Sequence, residues 1–292
     1  YNKDKILAQE LYKISLKYFQ QKKIEIVDKP NKADFGVVIG GDGTLLRAFR
    51  SFIFKKNLYV IAINAGSLGF LTEIKKENML EEYDNFLAGN FKYEKRHILE
   101  VELDGQIYYA LNEVVLSKAG ITSRVLRVNF KTNGEYMSTY KGDGVIVATP
   151  TGSTAYSMSA GGPILKPDMK AMIITPIAPH NLNTRPIVIG GDESIEMKIE
   201  DEKRMGQVII DGQTNKRISS LDTVRMEYSR YSLNLVIPKD RNYYSVIFIL
   251  FLLCNEWVIM RVPIYEALAH YKRNEMLPYT EYFGLGFFTD IS

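Results

Sequence analysis

Three glycines around an acidic residue form the most distinctive local feature of the sequence, Gly40-Gly41-Asp42-Gly43-Thr44. The segment follows a short apolar run and precedes a helical pattern. Glycines there let consecutive backbone N–H groups approach phosphate oxygens at a helix N-terminus. The spacing matches neither Gly-x-Gly-x-x-Gly nor a Walker A loop, and Asp42 fits such a site if its carboxylate faces a hydroxyl or Mg²⁺. The alternative is an ordinary strand-to-helix turn with Asp42 or Thr44 as its cap.

The segment from Gly142 to Pro163 is dense in glycine, serine and threonine. Such residues bury little apolar surface and leave many backbone donors in need of partners, so the segment is predicted to wrap a polar ligand. It contains no Gly-x-Ser-x-Gly, which argues against a serine-hydrolase nucleophile elbow. The alternative is a flexible linker, and Tyr156 and Met158 argue against it.

Shorter polar features accompany these two, each with a structural alternative. A second glycine turn covers residues 64–71 and could be a purely structural turn. The pair Asn112-Glu113 offers a carboxamide and a carboxylate suited to ribose hydroxyls and an adenine edge, unless it belongs to a solvated strand face. Residues 211–213 (Asp-Gly-Gln) end a strand and could be only a turn. His180 could bond a phosphate or have a structural role.

The elements that would position these residues change in kind along the chain. Up to about residue 90, helical patterns alternate with short β-branched runs. Helices are predicted at about 3–21, 44–54 and 76–87, and buried strands at 35–39 and 58–63. This order is typical of parallel strand–helix units. Both glycine turns should then lie at the carboxyl edge of one sheet, where open α/β sheets bind ligands.

From about residue 91 the pattern becomes one of short strands joined by tight turns. Asp104-Gly105 and Asn133-Gly134 lie between alternating apolar runs, as hairpin turns do. One short helix is predicted after Gly152. We therefore expect a Rossmann-like α/β layered domain followed by a mostly β, sandwich-like domain. The predicted boundaries are 1–90 for the α/β domain, 91–237 for the β domain, 238–246 for a return segment and 247–292 for an atypical apolar tail.

Composition limits the classes of function. The formal charge of +3 arises from 37 basic and 34 acidic residues, too balanced for a protein that neutralises many nucleic-acid phosphates. A single cysteine, Cys254, excludes an internal disulfide and a multi-cysteine zinc site, and it is typical of a reducing cytoplasm. Twelve of the fourteen residues 247–260 are apolar, fewer than the roughly 20 that a membrane-spanning helix needs. These observations predict a cytoplasmic protein with no nucleic-acid or membrane partner.

Taken in order, the polar segments resemble the NAD kinase family, which phosphorylates the adenosine-ribose 2′-hydroxyl of NAD to make NADP. The resemblance covers residues 1–246. GGDGT alone is shared with diacylglycerol and sphingosine kinases, whereas TPTGSTAYS at residues 149–157 is far more specific. Asn112-Glu113, the NE pair, fits the family's NE motif. Family members begin with a strand before the first helix, and here the helical pattern starts within a few residues of Tyr1.

The resemblance implies a role for each matching residue. Asp42 would be the catalytic aspartate that accepts the ribose hydroxyl's proton, with Gly41 and Gly43 near the phosphates. The remaining implied contacts are Phe70 and Leu71 beside the adenine, Asn112 and Glu113 on the adenosine ribose, Thr151, Thr154, Ala155, Tyr156 and Ser159 along the NAD pocket, and Asp143, Ala178 and Asp211 near the nicotinamide half, often across a subunit interface.

The resemblance also implies NAD and ATP as substrates, Mg²⁺ or another divalent metal accompanying ATP, and a homodimer or homotetramer; polyphosphate is the alternative donor. Two other functions stay open from the sequence. One is a catalytically impaired NAD-binding descendant, and the other is a lipid kinase acting on diacylglycerol or a sphingoid base. The tail at 247–292 lies outside the resemblance and is either an altered C-terminus or a regulatory or membrane-contacting appendage.

Overall fold

The computed structural model of the chain describes residues 1–27, 29–55, 58–66, 69–119, 124–181 and 183–254. It divides the chain into one unit that ends at Arg241 and a second that begins at Asn242. The α-helices are α1 (Ile6–Gln21), α2 (Asp42–Phe52), α3 (Met79–Leu87), α4 (Tyr156–Ser159) and α5 (Tyr243–Cys254).

The β-strands of the described residues lie in the first unit. They are β1 (Phe35–Gly40), β2 (Tyr59–Asn64), β3 (Lys92–Leu103), β4 (Gln106–Ala110), β5 (Glu113–Lys118), β6 (Leu126–Thr132), β7 (Glu135–Gly142), β8 (Gly144–Ala148), β9 (Ala171–Ile177), β10 (Ile187–Gly190), β11 (Ile195–Ile199), β12 (Gly206–Ile210), β13 (Thr214–Ile218) and β14 (Thr223–Ile237).

The N-terminal part is a layered α/β arrangement, as the sequence predicts. β1 and β2 pair in parallel along their whole length, from Phe35 opposite Tyr59 to Gly40 opposite Asn64. Alternate residues of these strands face opposite sides. Ile39, Ile61 and Ile63 pack with α1 and α3, whereas Val38, Val60 and Ala62 pack with α2. Helices therefore cover both faces, which explains why these strands are apolar without alternation.

Strand β14 connects this parallel pair to the antiparallel part of the fold. It pairs in parallel with β2 and antiparallel with β3 and β11. The resulting eight-stranded sheet has the order β1-β2-β14-β11-β6-β7, with β3 and β4 branching from β14. The sequence predicts separate strands at 223–228 and 233–237. They form one strand with a register shift between Tyr228 and Ser232.

A second, fully antiparallel sheet packs against the antiparallel part of the first. Its order is β10-β9-β8-β5-β12-β13. Side chains of both sheets, such as Phe130 and Met197 from the first and Val145 and Ile174 from the second, share one buried core. The predicted sandwich-like β domain is confirmed. The domain boundaries at residues 90 and 237 stay a prediction.

The two predicted hairpin turns join β3 to β4 and β6 to β7. Their four turn residues all have positive φ: Asp104 at 53°, Gly105 at 70°, Asn133 at 51° and Gly134 at 81°. Two consecutive residues with positive φ match the twist of antiparallel strands, and Asx-Gly pairs adopt this conformation most readily. Turn chemistry therefore sets the register of both hairpins.

The second unit begins at Asn242, and helix α5 follows it directly. No helix in the described part of the chain combines the length and apolar character needed to cross a membrane. Most of the predicted apolar tail, residues 255–292, lies outside the described residues.

Candidate active site

Asp42 is the first residue of α2, directly after the carboxyl end of β1. Gly41 occupies the N-cap position in an extended conformation, and no side chain caps the helix. The structural alternative, in which Asp42 or Thr44 caps the helix, is therefore wrong. The Thr44 side chain instead lies against Gly40, where a Cβ would overlap its hydroxyl. A Cβ at Gly41 or Gly43 would meet no atom of the described residues within 4 Å, so both backbones are open on that side in the described part of the chain.

The Asp42 carboxylate binds the end of the second glycine turn. Oδ2 accepts the Phe70 N–H at 2.8 Å, and Oδ1 accepts the N–H groups of Leu71 and Thr72 at 3.1 and 3.0 Å. Oδ1 also accepts the Thr72 hydroxyl at 3.0 Å. Each carboxylate oxygen accepts about two hydrogen bonds, so Oδ2, with one donor, has capacity for another. The predicted meeting of the two turns at one sheet edge follows from these bonds; Ser67 and Leu68 lie outside the described residues.

Two neighbours hold the second turn close to Asp42. A Cβ at Gly69 would overlap both carboxylate oxygens of Asp42, so only glycine allows this approach. The Asn64 amide donates to the Thr72 hydroxyl at 3.2 Å and accepts the Gly66 N–H at 2.9 Å. The chain of hydrogen bonds from Asn64 through Thr72 to Asp42 orients the carboxylate.

Arg50 links α2 to the turn between β12 and β13. Its Nη2 lies 3.6 Å from Asp211 Oδ2, and its Nη1 donates to Gln213 Oε1 at 3.0 Å. Its Nε also donates to the Tyr109 carbonyl at 3.2 Å. The helix that begins at Asp42 therefore also contacts residues 211–213.

Asp211 is buried and organises the backbone that precedes β5. Its carboxylate accepts the N–H groups of Leu111, Asn112 and Glu113 at 2.9, 2.8 and 3.2 Å. Residues 211–213 form a turn, with Asp211 at φ 49°. Burial raises the pKa of Asp211, and the three N–H donors and Arg50 oppose that shift. The Asp211 carboxylate therefore supports the backbone of residues 111–113.

Asn112 and Glu113 each carry an unsatisfied buried oxygen. Glu113 is 7% exposed, which contradicts a solvated strand face. Among the described residues, Asn112 Oδ1 and Glu113 Oε2 are buried without a hydrogen-bond partner. Burial and, after it, the Asp211 charge raise the pKa of Glu113 to about 8, opposed by the Tyr156 backbone N–H. Buried polar atoms are rarely left unpaired, so these two oxygens are arranged for a ligand with donors.

The segment rich in glycine, serine and threonine is ordered and packs against Asn112. The Thr149 N–H donates to the Asn112 carbonyl at 2.8 Å, and the Thr149 hydroxyl donates to the Leu111 carbonyl at 2.6 Å. A Cβ at Gly152 would overlap the Asn112 carbonyl. The buried Ser153 hydroxyl joins Pro150 and Leu165. The linker alternative is wrong because Thr149 is hydrogen-bonded to residues 111 and 112, and Ser153 to residues 150 and 165.

The predicted lining residues differ in exposure. Thr151 is buried, Thr154 and Ala155 are half-buried, and Tyr156 and Ser159 are exposed. All five belong to the turn and short helix that follow β8. Of the two residues predicted to lie beside the adenine, Phe70 is half-buried, whereas Leu71 belongs to the core around α2.

Asp143 and Ala178 lie at the opposite end of β8 from Thr149. The Asp143 N–H donates to the Ile177 carbonyl at 3.0 Å, and its carboxylate pairs with Lys118 at 2.8 Å. Five residues of extended strand span roughly 17 Å, so one chain does not bring these two residues to the NE pair. His180, nearby, is exposed, and its backbone N–H donates to the Lys141 carbonyl.

Sequence reasoning missed Arg50, Asn64 and Thr72 as parts of the site. Arg50 lies two helical turns after Asp42, close to the same face of α2, which is a signal that helical spacing could have given. Thr72 carried no such signal because its partner Asp42 is thirty residues earlier. In the described part of the chain, no three His, Cys, Asp or Glu side chains gather closely enough to hold a metal ion.

Two family models match the chain. Residues 7–91 match the ATP-NAD kinase N-terminal domain, and residues 111–237 match the ATP-NAD kinase C-terminal domain. An NAD kinase of Fusobacterium nucleatum is 47% identical over 250 residues, which cover 85% of this chain and 93% of that protein. An NAD kinase of Thermoanaerobacter sp. is 39% identical over 74% of this chain and 78% of its own.

Two solved structures share the fold. Yeast NADH kinase complexed with NADH superposes with a TM-score of 0.70 at 27% identity, covering 80% of this chain and 69% of that one. An NAD kinase from Archaeoglobus fulgidus in complex with ATP superposes with a TM-score of 0.67 at 27% identity, covering 81% and 92%.

The raised pKa of Glu113 predicts a pH-dependent stability. The folded chain keeps this proton up to pH about 8, whereas an ordinary glutamate releases it near 4.5. Unfolding therefore releases a proton between these values, and the free energy of unfolding falls as pH rises, by up to about 1.4 kcal/mol per pH unit. Glu113→Gln should reduce this slope in urea denaturation at pH 5, 6, 7 and 8. Glu102→Gln, at an exposed site, is the control, and equal slopes in both variants would refute the assignment.

Proposed function

The chain belongs to the NAD kinase family, and from this we propose that it transfers the γ-phosphoryl group of ATP to the adenosine-ribose 2′-hydroxyl of NAD, forming NADP and ADP. The single observation that carries the proposal is a chain of contacts that links three segments. Arg50, on the helix that begins at Asp42, pairs with Asp211. Asp211 binds the backbone N–H groups of Asn112 and Glu113, whose side-chain oxygens Oδ1 and Oε2 are unpartnered among the described residues. The Thr149 N–H donates to the Asn112 carbonyl.

Asp42 prepares the nucleophile. The 2′-oxygen attacks the γ-phosphorus, the hydroxyl proton passes to Asp42 Oδ2, and the bond from the γ-phosphorus to the bridging oxygen breaks with its electron pair leaving on ADP. The hydrogen bonds from Phe70, Leu71 and Thr72 hold the carboxylate in one orientation. Catalysis then rests on positioning and on charge neutralisation, with no covalent enzyme intermediate.

ATP enters beside Gly41 and Gly43. In the described part of the chain, open space adjoins both residues, and the N-terminus of α2 presents backbone N–H groups and positive potential to phosphate oxygens. We take Mg²⁺ as part of the MgATP substrate, because Mg²⁺ is commonly held by substrate phosphates with few protein ligands. It neutralises charge on the phosphates during transfer.

NAD binds along the NE pair and the turn after β8. Asn112 Oδ1 and Glu113 Oε2 form hydrogen bonds with the adenosine ribose hydroxyls, since both atoms are buried and unpartnered among the described residues. Phe70 and Leu71 border the adenine. The residues that line the rest of the pocket are Thr151, Thr154, Ala155, Tyr156 and Ser159.

The nicotinamide half reaches a second subunit. Asp143 and Ala178 lie at the far end of β8 and so serve the pocket of a neighbouring chain in a homodimer or homotetramer. Asp211, which the resemblance also assigns to this half, has its carboxylate engaged by three backbone N–H groups. Its contribution here is to hold Asn112 and Glu113. A single cysteine supports a cytoplasmic location.

The two alternatives are distinguishable from this proposal. A lipid kinase sharing only GGDGT does not account for matches to both NAD kinase domains. A catalytically impaired NAD-binding descendant would bind NAD and form no NADP. An assay of NADP formation from NAD, ATP and Mg²⁺, read with an NADP-specific dehydrogenase, separates it from an active enzyme.

Asp42→Asn should lower kcat for NADP formation by about 10²- to 10⁴-fold, because the amide cannot accept the hydroxyl proton. NAD binding, measured by calorimetry, should persist. Asp192→Asn removes the same charge at an exposed site and should leave kcat unchanged. Retained turnover in Asp42→Asn would remove Asp42 from the catalytic role.

Asn112→Ala should raise the KM for NAD by about tenfold and leave the KM for ATP unchanged, since one or two ligand hydrogen bonds are lost. The fold should survive because the hydrogen bonds of Asn112 to Asp211 and Thr149 use its backbone. Thermal unfolding checks this point. An unchanged KM for NAD would place the ribose elsewhere.

Gly69→Ala should lower kcat by about 10- to 100-fold, because the added Cβ displaces the Asp42 carboxylate. Gly66→Ala is the matched control in the same turn. Among the described residues, the only atom that its Cβ would meet within 4 Å is the flexible Lys5 Nζ. Steady-state kinetics of both variants test the contact, and similar kcat values in the two would contradict it.

A further inference from the structure

Four charged side chains form a buried cluster that the proposed mechanism does not use. Arg241 Nε pairs with Glu73 Oε2 at 2.5 Å, and Arg241 Nη1 pairs with Glu94. Arg96 Nη2 pairs with Glu94 Oε2 at 2.7 Å. The exposed fractions of the side chains are 4% for Arg241, 6% for Glu73, 2% for Arg96 and 14% for Glu94.

Stability alone does not explain such a cluster. Removing four ions from water carries a large desolvation penalty, and buried ion pairs often stabilise no more than apolar residues of similar volume. Buried ionic groups can instead specify one arrangement of the segments that carry them. The role of the cluster therefore depends on the segments that it joins.

Glu73 lies directly after the residues that bind Asp42. Thr72, the preceding residue, donates its N–H and its hydroxyl to Asp42 Oδ1. Ile74, the following residue, accepts the Asn64 N–H at 2.8 Å and bridges Ile63 of β2. A side chain at position 73 that is fixed in space therefore restricts the approach of the Phe70–Thr72 amides to the carboxylate.

The other end of the cluster is rigid. Glu94 lies within β3, where it is paired with Leu235 of β14. Arg241 follows β14 and lies beyond residue 237, where the match to the C-terminal family model ends. Its guanidinium bridges two carboxylates, one on the central sheet and one in the Asp42-binding segment.

We propose that Arg241, acting through Glu73, is a positioning residue for Asp42: the pair fixes the Phe70–Thr72 segment so that its amides hold the carboxylate in its reactive orientation. The proposal rests on the proposed function for its kinetic consequence. Its structural consequence, the ordering of residues 70–72, is independent of activity.

Glu73→Gln tests the proposal, with Glu102→Gln as the control. Both variants neutralise one glutamate, but Glu102 is exposed on β3 and lies outside the cluster. Hydrogen exchange followed by mass spectrometry should show at least tenfold faster exchange over residues 70–72 in Glu73→Gln. Glu102→Gln should match the unsubstituted chain there.

Kinetics provide the second readout. Glu73→Gln should lower kcat by about 10- to 100-fold with the KM values for NAD and ATP nearly unchanged, because the reacting group is misplaced while the binding residues remain. Glu102→Gln should leave kcat unchanged.

If Glu73→Gln does not fold, Arg241→Lys replaces it, since lysine keeps the charge but cannot bridge both carboxylates with a planar fork. Unchanged exchange over residues 70–72, or equal acceleration in the Glu73 and Glu102 variants, overturns the proposal. An unsubstituted chain that forms no NADP refutes the proposed function instead, and the exchange measurement still decides the positioning role.

Discussion

The fold of the site depends on one interaction, the binding of the Asp42 carboxylate by three consecutive backbone N–H groups. Residues 70–72 follow β2, whereas Asp42 follows β1, so the bonds join the carboxyl ends of two parallel strands. A carboxylate is the natural partner for such a series of donors, because hydrogen bonds to an ionised group are the strong ones. Three glycines keep side chains away from this contact. A Cβ at Gly69 would overlap the carboxylate, and the absence of side chains at positions 41 and 43 leaves the helix N-terminus accessible.

The same device occurs a second time, with a different result. Asp211 also accepts three consecutive backbone N–H groups, those of residues 111–113, and thereby shapes the NE segment. The two carboxylates differ in what else surrounds them. Asp211 is 5% exposed and faces Arg50, whereas Asp42 is half-buried and has a single donor on Oδ2. One carboxylate is enclosed and structural, and the other retains an oxygen for a reacting hydroxyl. Arg50, on the helix that Asp42 begins, connects the two.

Much of this arrangement could be predicted from the sequence wherever the cause is local. The Asx-Gly hairpins, the parallel strands that end in glycines and the helix after Asp42 all follow from residues adjacent in the chain. The sequence indicates Asn112 and Glu113 by their chemistry. It does not predict that Glu113 is buried, because the backbone of this segment is held by Asp211, about a hundred residues later in the chain. The ion pair of Glu73 could not be predicted for the same reason, since its partner Arg241 follows β14 in the chain. The single strand β14 was predicted as two because its register shift interrupts the apolar pattern.

The segment most specific to the family also shows how a continuous motif can serve two places. Residues 142–162 read as one unit in the sequence, yet β8 passes through them and separates Asp143 from Thr149 by roughly 17 Å of extended chain. The end with Thr149 is tied to Asn112, whereas the end with Asp143 is tied to Lys118 and Ile177. The two ends of the motif therefore lie far apart on one chain. In a closed symmetric assembly each chain offers the same surface to its neighbour, so the Asp143 end can complete the neighbour's pocket. The separation along β8 is thus an argument for the proposed assembly.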